Sequence, residues 1–303
     1  MIVNTLILDF RGEFAALGAA FIWAMASFIY IGIGKRIPPL ILNFAKSGIA
    51  IALIFITVLI RGDGAPVMPT GSLALLLLSG AIGIGVGDTA FFESLNCLGA
   101  RRSLLLEALS PPLAALLALV FLGEQLSVSA WMGIGLTIAG VVWVVVERTP
   151  ETLKGTSRPL RGISFGLLAA LGQASGAVMS RAALATTEVS PLWSTLARLI
   201  AGVVMLGLWI GVRRQSWQWF QPLQSVRMVS ILIGASFFST YLAIWLQQTA
   251  LKYAATGIAQ SLSATSPLFV LPVAIWLGDR VSIRAIVGVL VALGGVWLLF
   301  DFG

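Results

Sequence analysis

Apolar residues run along this chain in long blocks separated by short polar gaps, and the blocks set its architecture. Cutting at charged, Pro-rich or Gly-rich gaps gives ten candidate spans, at about 14–34, 39–60, 72–96, 103–122, 127–146, 161–184, 191–212, 226–250, 256–277 and 282–300. A helix crosses a hydrocarbon core with about 20 apolar residues. In lipid, only helices and closed barrels satisfy their own backbone hydrogen bonds. The pattern predicts an all-α integral membrane protein of ten transmembrane helices, multi-pass and resident in a plasma membrane of the bacterial inner type.

The most polar gap runs from Glu147 to Arg161 and contains Thr149, Pro150, Lys154, Gly155, Ser157 and Pro159, a composition that suits a linker. It divides the chain into a first five-helix repeat over 1–148, a linker over 149–160 and a second five-helix repeat over 161–303. A shift of 155 places Pro112 on Pro267, Leu122 on Leu277, Gly123 on Gly278, Ser127 on Ser282, Gly133 on Gly288 and Gly140 on Gly295. Glu124 falls on Asp279, so a Leu-Gly-acid turn recurs between the last two spans of each half. Towards the front of each half, Pro39 faces Pro191 and Lys46 faces Arg198 at a shift of 152. Five spans per half make the second half enter the membrane inverted. Inverted repeats characteristically hold a substrate site near the midplane, around a central cavity.

Composition agrees with lipid. Of 303 residues, 58% are hydrophobic and 10% charged, with a mean hydropathy of +1.00. The polar stretch Asp9, Arg11, Glu13 leads straight into the first span, which is expected to remain in the mature chain. One cysteine, Cys97, precludes an internal disulfide, and the absence of histidine removes the commonest metal ligand and general base. No metal site, no cofactor and no catalytic activity are expected. The excess of 19 Lys and Arg over 12 acids falls in the gaps, which reads as topology and not as a nucleic-acid surface. Leaving out Lys46 and Arg198, 13 of the other 17 basic residues follow odd-numbered spans. By the positive-inside rule those gaps face the cytoplasm and both termini lie outside.

Two five-span halves, each with a Pro-containing fourth helix, a Leu-Gly-Glu or Leu-Gly-Asp turn and a Gly-rich last helix, resemble the EamA-like, ten-helix branch of the drug/metabolite transporter superfamily. The resemblance covers the chain from about Phe14 to Phe300. It implies a secondary transporter working by alternating access, an exporter or exchanger of amino acids or related metabolites. It also implies cytoplasmic termini, opposite to the charge count, so sidedness stays open between the two. It carries no universal catalytic motif, and its substrates vary too widely to name the cargo.

Ionisable side chains within apolar spans are where function concentrates, since each costs about 2.5–3.5 kcal/mol on insertion scales unless paired or hydrated. Lys46 in the second span and Arg198 in the seventh are placed to offer one cation on each wall of a central path, suited to a substrate carboxylate. The alternative is that they pair structurally with Asp88 or Glu107. Asp88, in the run Gly85-Val86-Gly87-Asp88-Thr89, is also a candidate proton acceptor. Glu107 lies one turn before Pro111 and Pro112, where a kink frees backbone carbonyls. Protons are thus the candidate coupling ion.

Polar stripes at helical spacing, Ser236-Thr240-Ala243-Gln247, Gln173-Gly176-Ser180 and Gln260-Ser263-Pro267, are expected to turn away from lipid, either to line the cavity or to bond between helices. Trp23, Ser27 and Tyr30 share a face of the first span and would form an aromatic wall against an organic substrate. Trp217 and Trp219 read as interfacial anchors, and Tyr241 and Trp245 as facing either lipid or cavity. The series Gly80, Gly83, Gly87, like Gly133 and Gly140, reads as close helix packing and not as a phosphate loop, since no Gly-Lys-Ser/Thr follows. The partners expected are a small-molecule substrate and membrane lipids, acting on a monomer. Competing readings are a transporter or flippase of drugs or lipid-linked substrates, an intramembrane enzyme, disfavoured by the missing His-Glu-x-x-His and Gly-x-Ser-x-Gly motifs, and a structural scaffold.

Overall fold

The computed structural model describes residues 10–33, 37–62, 64, 66, 68–98, 100–148, 159–212, 221, 225–269, 272 and 282–300. Helices follow one another as α1 (Arg11–Ile33), α2 (Pro39–Arg61), α3 (Thr70–Gly80), α4 (Asp88–Leu98), α5 (Ala100–Glu107), α6 (Ser110–Leu122), α7 (Val128–Arg148), α8 (Pro159–Ala185), α9 (Pro191–Val212), α10 (Val226–Ser236), α11 (Ala243–Tyr253), α12 (Thr256–Ser263) and α13 (Ile283–Leu299). Among the described residues, seven helical stretches are long and apolar enough to cross a bilayer, and Ile283–Leu299 is a shorter apolar helix. The all-helical character expected from the apolar blocks holds throughout the described residues.

Local chemistry explains the ends. Pro39 and Pro191 open α2 and α9, where a missing N–H is harmless. Gly62 and Gly123 close α2 and α6 at φ 65° and 67°, a left-handed conformation that a Cβ disfavours. Ser282 caps α13, its hydroxyl accepting from the Ala285 N–H at 3.1 Å.

Four spans are not the uniform helices that the apolar pattern suggests. α3 runs into α4 through a π-helical stretch, Ala81–Gly87, and α10 runs into α11 through another, Phe237–Leu242. The fourth span breaks between α5 and α6 at Ala108 and Leu109. Pro111 and Pro112 cannot donate to the carbonyls of Glu107 and Ala108, so the helix ends one turn before them. α12 ends in the same manner, in a turn at Ala264 and Thr265 ahead of Pro267.

The interior is built from small side chains and the perimeter from large ones. Ala19, Ala169, Ala170, Ala174 and Ala292 are fully buried, while Ile60, Val120, Phe121, Leu160 and Leu290 stand exposed. Small buried residues allow close helix approach, and an apolar outer surface suits acyl chains. α7 lies along α13. A Cβ on Gly133 would touch the Gly295 carbonyl, and one on Gly140 would collide with the Ala292 backbone and the Gly288 carbonyl. α8 packs on α4, and α1 packs on α11. The chain's described ends meet where the rings of Phe10 and Phe300 lie 5.4 Å apart.

Candidate functional site

A cavity of about 370 Å³ opens between these helices. Its charged and amide groups come from seven of them: Lys46 on α2, Asp88 on α4, Glu107 on α5, Gln173 on α8, Arg198 on α9, Gln247 on α11 and Gln260 on α12. Trp23 on α1, Ser110 on α6 and Ser263 on α12 add to the polar lining, and Ile84, Phe91, Val141 and Ile244 contribute apolar wall. The size and the mixture of apolar wall with a few convergent polar groups suit a small organic ligand.

The helix irregularities converge on this cavity. Asp88 begins α4 directly after the first π-helical stretch, and Ser239 lies within the second. Trp23 donates from Nε1 to the Ser239 carbonyl at 2.9 Å, which fixes the indole across the cavity wall. A π turn takes up an extra residue and re-aims the side chains that follow. Glu107 closes α5 beside the proline break, and Pro111 and Pro267 both reach the cavity.

Arg198 owes its place to glycine. A Cβ on Gly80 would run into the Arg198 backbone, and one on Gly83 would stand 3.2 Å from the guanidinium Nη2. The glycines therefore let α9 lie against the π-helical stretch with its cation pointing inward. Arg198 is only 4% exposed, and its Nε and Nη1 have no hydrogen-bond partner. Asp88 is instead engaged by an amide: Gln173 donates from Nε2 to Asp88 Oδ1 at 2.8 Å. Lys46 and Arg198 act on Asp88 electrostatically, yet among the described residues no ion pair within 4 Å joins either cation to Asp88 or Glu107. Glu107 Oε2 is buried and also without a partner.

Of the residues singled out from sequence, Trp23, Lys46, Asp88, Glu107, Gln173, Arg198, Gln247 and Gln260 meet at this cavity. The side chains of Ser27 and Tyr30 lie outside the described residues, as do Trp217 and Trp219. Thr240, expected on the same face as Gln247, is buried off the cavity beside the Ser239 hydroxyl at 3.2 Å. The stripe that suggested it assumed unbroken α-helical spacing, and the π-helical stretch shifts that register so that Ser239 takes the lining position. Tyr241 faces neither lipid nor cavity: its hydroxyl lies 2.9 Å from Thr57 Oγ1 on α2. Sequence reasoning missed Ser110 and Ser239, which line the cavity, and a buried bond from the Ser194 hydroxyl to Gln248 Oε1 at 2.8 Å. The Pro111-Pro112 pair was the one signal pointing to Ser110.

The sequence matches the EamA-like transporter family over residues 10–146 and again over residues 160–301. A relative described as an uncharacterized transporter of Archaeoglobus fulgidus is 24% identical over 285 residues, covering 94% of this chain and 96% of its own. A solved crystal structure shares the fold with a TM-score of 0.80 at 16% identity, over 96% of both chains. With the family matched across nearly its whole length and its apolar helices enclosing a polar cavity, this chain belongs to the EamA-like transporter family of membrane transport proteins.

Proposed function

We propose that the protein is a secondary transporter, an exporter or exchanger, that moves small metabolites of the amino-acid or related organic class by alternating access. The observation that carries this reading is Arg198. A guanidinium 4% exposed, with two donors unpartnered, is costly in a membrane interior unless a ligand or water satisfies it. A carboxylate in the cavity would accept from those donors with charge assistance, and Lys46 on the adjoining helix α2 would add to the attraction. Glu107, with an unpartnered oxygen, would suit an ammonium or a coupling proton. Trp23, Gln173, Gln247 and Gln260 would position the rest of the molecule.

The architecture in this reading is ten spans in two inverted five-helix repeats, over 1–148 and 161–303. Three features support it. The family matches the chain in two consecutive segments. In addition, Gly133 meets Gly295 and Gly140 meets Gly288, which under the shift of 155 is the reciprocal contact a two-fold relation produces. The π-helical stretches at Ala81–Gly87 and Phe237–Leu242 obey nearly the same shift. Alternating access then amounts to rocking of the repeats about the cavity.

The test is uptake and counterflow of a labelled amino-acid and nucleobase panel in proteoliposomes, with and without a proton gradient. Native protein should give flux for at least one carboxylate-bearing substrate. Arg198→Ala should reduce it tenfold or more, about 1.4 kcal/mol of transition-state binding, and Lys46→Ala less. Undiminished flux in folded Arg198→Ala would overturn the assignment of the anion site; no flux for any of the panel would turn the reading to drug or lipid-linked substrates.

A further inference from the structure

A polar cluster lies beyond the lining of the cavity, along three of the helices that form it. Arg181, near the end of α8, donates from Nε to Glu124 Oε1 at 2.7 Å. Its Nη1 donates to the carbonyls of Leu251 at 3.0 Å and Lys252 at 2.8 Å, the last turn of α11. Glu124 uses its other oxygen to accept the Thr256 N–H at 2.8 Å, the first residue of α12. The ion pair is thus wedged into the break between α11 and α12, with the cation on a helix C-terminus and the anion on a helix N-terminus, the arrangement the helix dipoles favour.

The cluster lies just past the cavity along three helices. Arg181 stands about 12 Å beyond Gln173 along α8, and Thr256 and Leu251 each about 6 Å from Gln260 and Gln247, at 1.5 Å per residue. Between cluster and cavity along these helices lie the buried small residues Ala177, Ala250 and Ala259. Neighbouring contacts extend the cluster. The Lys252 ammonium donates to the Val189 carbonyl at 2.8 Å, Arg11 sits 3.2 Å over the Tyr253 ring, and Gly12 lies hard against Ala254.

We propose that Glu124 and Arg181 form the closing ion pair of a gate at this end of the cavity, intact in the conformation seen and broken when the cavity opens to that face. Glu124 comes from the first matched segment, while Arg181, Leu251, Lys252 and Thr256 come from the second, so opening between segments separates Glu124 from all its partners. The side chains of Arg181 and Glu124 retain 18% and 15% exposure. Water can therefore replace each lost bond as the pair parts, which lowers the cost of opening the latch. The proposal rests on the alternating-access reading and adds the groups that hold one of its two states.

The experiment needs no identified substrate. In a Cys97→Ala background, Ser263→Cys places a thiol in the cavity. Its reaction with a membrane-impermeant methanethiosulfonate is timed with the reagent on the face bearing the Phe10 and Phe300 ends. The native latch should give slow reaction from that face. Glu124→Gln or Arg181→Gln should raise the rate about fivefold or more, and the charge swap Glu124→Arg with Arg181→Glu should bring it back towards the starting value. Unchanged rates in both single variants, with a cooperative melting transition retained, overturn the proposal. If a single variant loses that transition, Glu124→Asp, which keeps the charge and shortens the reach, supplies the reading, and an unchanged rate there overturns it equally. Lack of flux for the metabolite panel would count against the transport reading alone, whereas normal flux with unchanged thiol rates would count against the latch alone.

Discussion

Glycine and arginine set the site at the scale of single residues. Gly80 lies against the Arg198 backbone, whereas Gly48 has open space where a side chain would go. Gly80→Ala should therefore destabilise the protein by about 1–3 kcal/mol, the usual cost of overpacking. Gly48→Ala should change stability by less than about 1 kcal/mol, in the direction of a better helix former. Thermal melting in detergent compares the two, and equal midpoints would refute the packing argument. The chain pattern pointed to Arg198 and Lys46 because cations stand out in apolar spans. It left open whether they pair with Asp88, because the partner that engages Asp88 is Gln173, 85 positions away. Only packing of α8 on α4 creates that bond. Removing it with Gln173→Ala should leave Asp88 free to approach Arg198 and so lower flux of a carboxylate substrate severalfold, measured in the same proteoliposome assay; unchanged flux would mean that Gln173 does not keep the two charges apart.

Among the helices, the informative departures are the broken and widened ones. Proline marks the break after Glu107 in the sequence itself, since its missing N–H and its ring act locally. The π-helical stretches have no such local mark. They arise where close packing against α8 and α1 makes an extra residue per turn tolerable, so the spacing of Ser236, Thr240 and Gln247 misdirects by about one position. The α7 and α13 pair is the opposite case: the small-residue spacing at Gly133 and Gly140 is legible in the sequence, and the structure supplies the partner helix. Here Gly140→Ala and Gly295→Ala, whose side chains would enter the facing backbone, should each lower the melting midpoint by several degrees. Gly135→Ala and Gly294→Ala, which meet nothing within 4 Å, should leave it unmoved. A uniform response of all four would exclude a tight glycine interface.

For the whole molecule, the two ends of the described chain lie together, with Phe10 and Phe14 both against Phe300. Reporter fusions at the two termini should accordingly give the same side of the membrane, and opposite signals would contradict an even number of spans. Those fusions also decide between the positive-inside count and the cytoplasmic termini implied by the family. Of the four basic residues on the minority side, Arg11, Arg181 and Lys252 are held by the Tyr253 ring, by Glu124 and by the Val189 carbonyl. Their presence there has a structural use that a charge count does not register.

The sequence by itself determined the membrane class, the all-helical character, most helix ends, the proline break and the identity of eight cavity residues. These follow from local causes: apolar length against bilayer thickness, capping chemistry, and the expense of a charge in lipid. Tertiary structure alone decided which polar groups touch. It turned Ser239 to the cavity in place of Thr240, gave Asp88 to Gln173 while leaving Arg198 unpartnered, and brought Glu124 to Arg181 across 57 positions. The reason is that a polar group in a helix bundle bonds to whatever the packing of the backbones places beside it, and helix packing joins residues far apart in the chain.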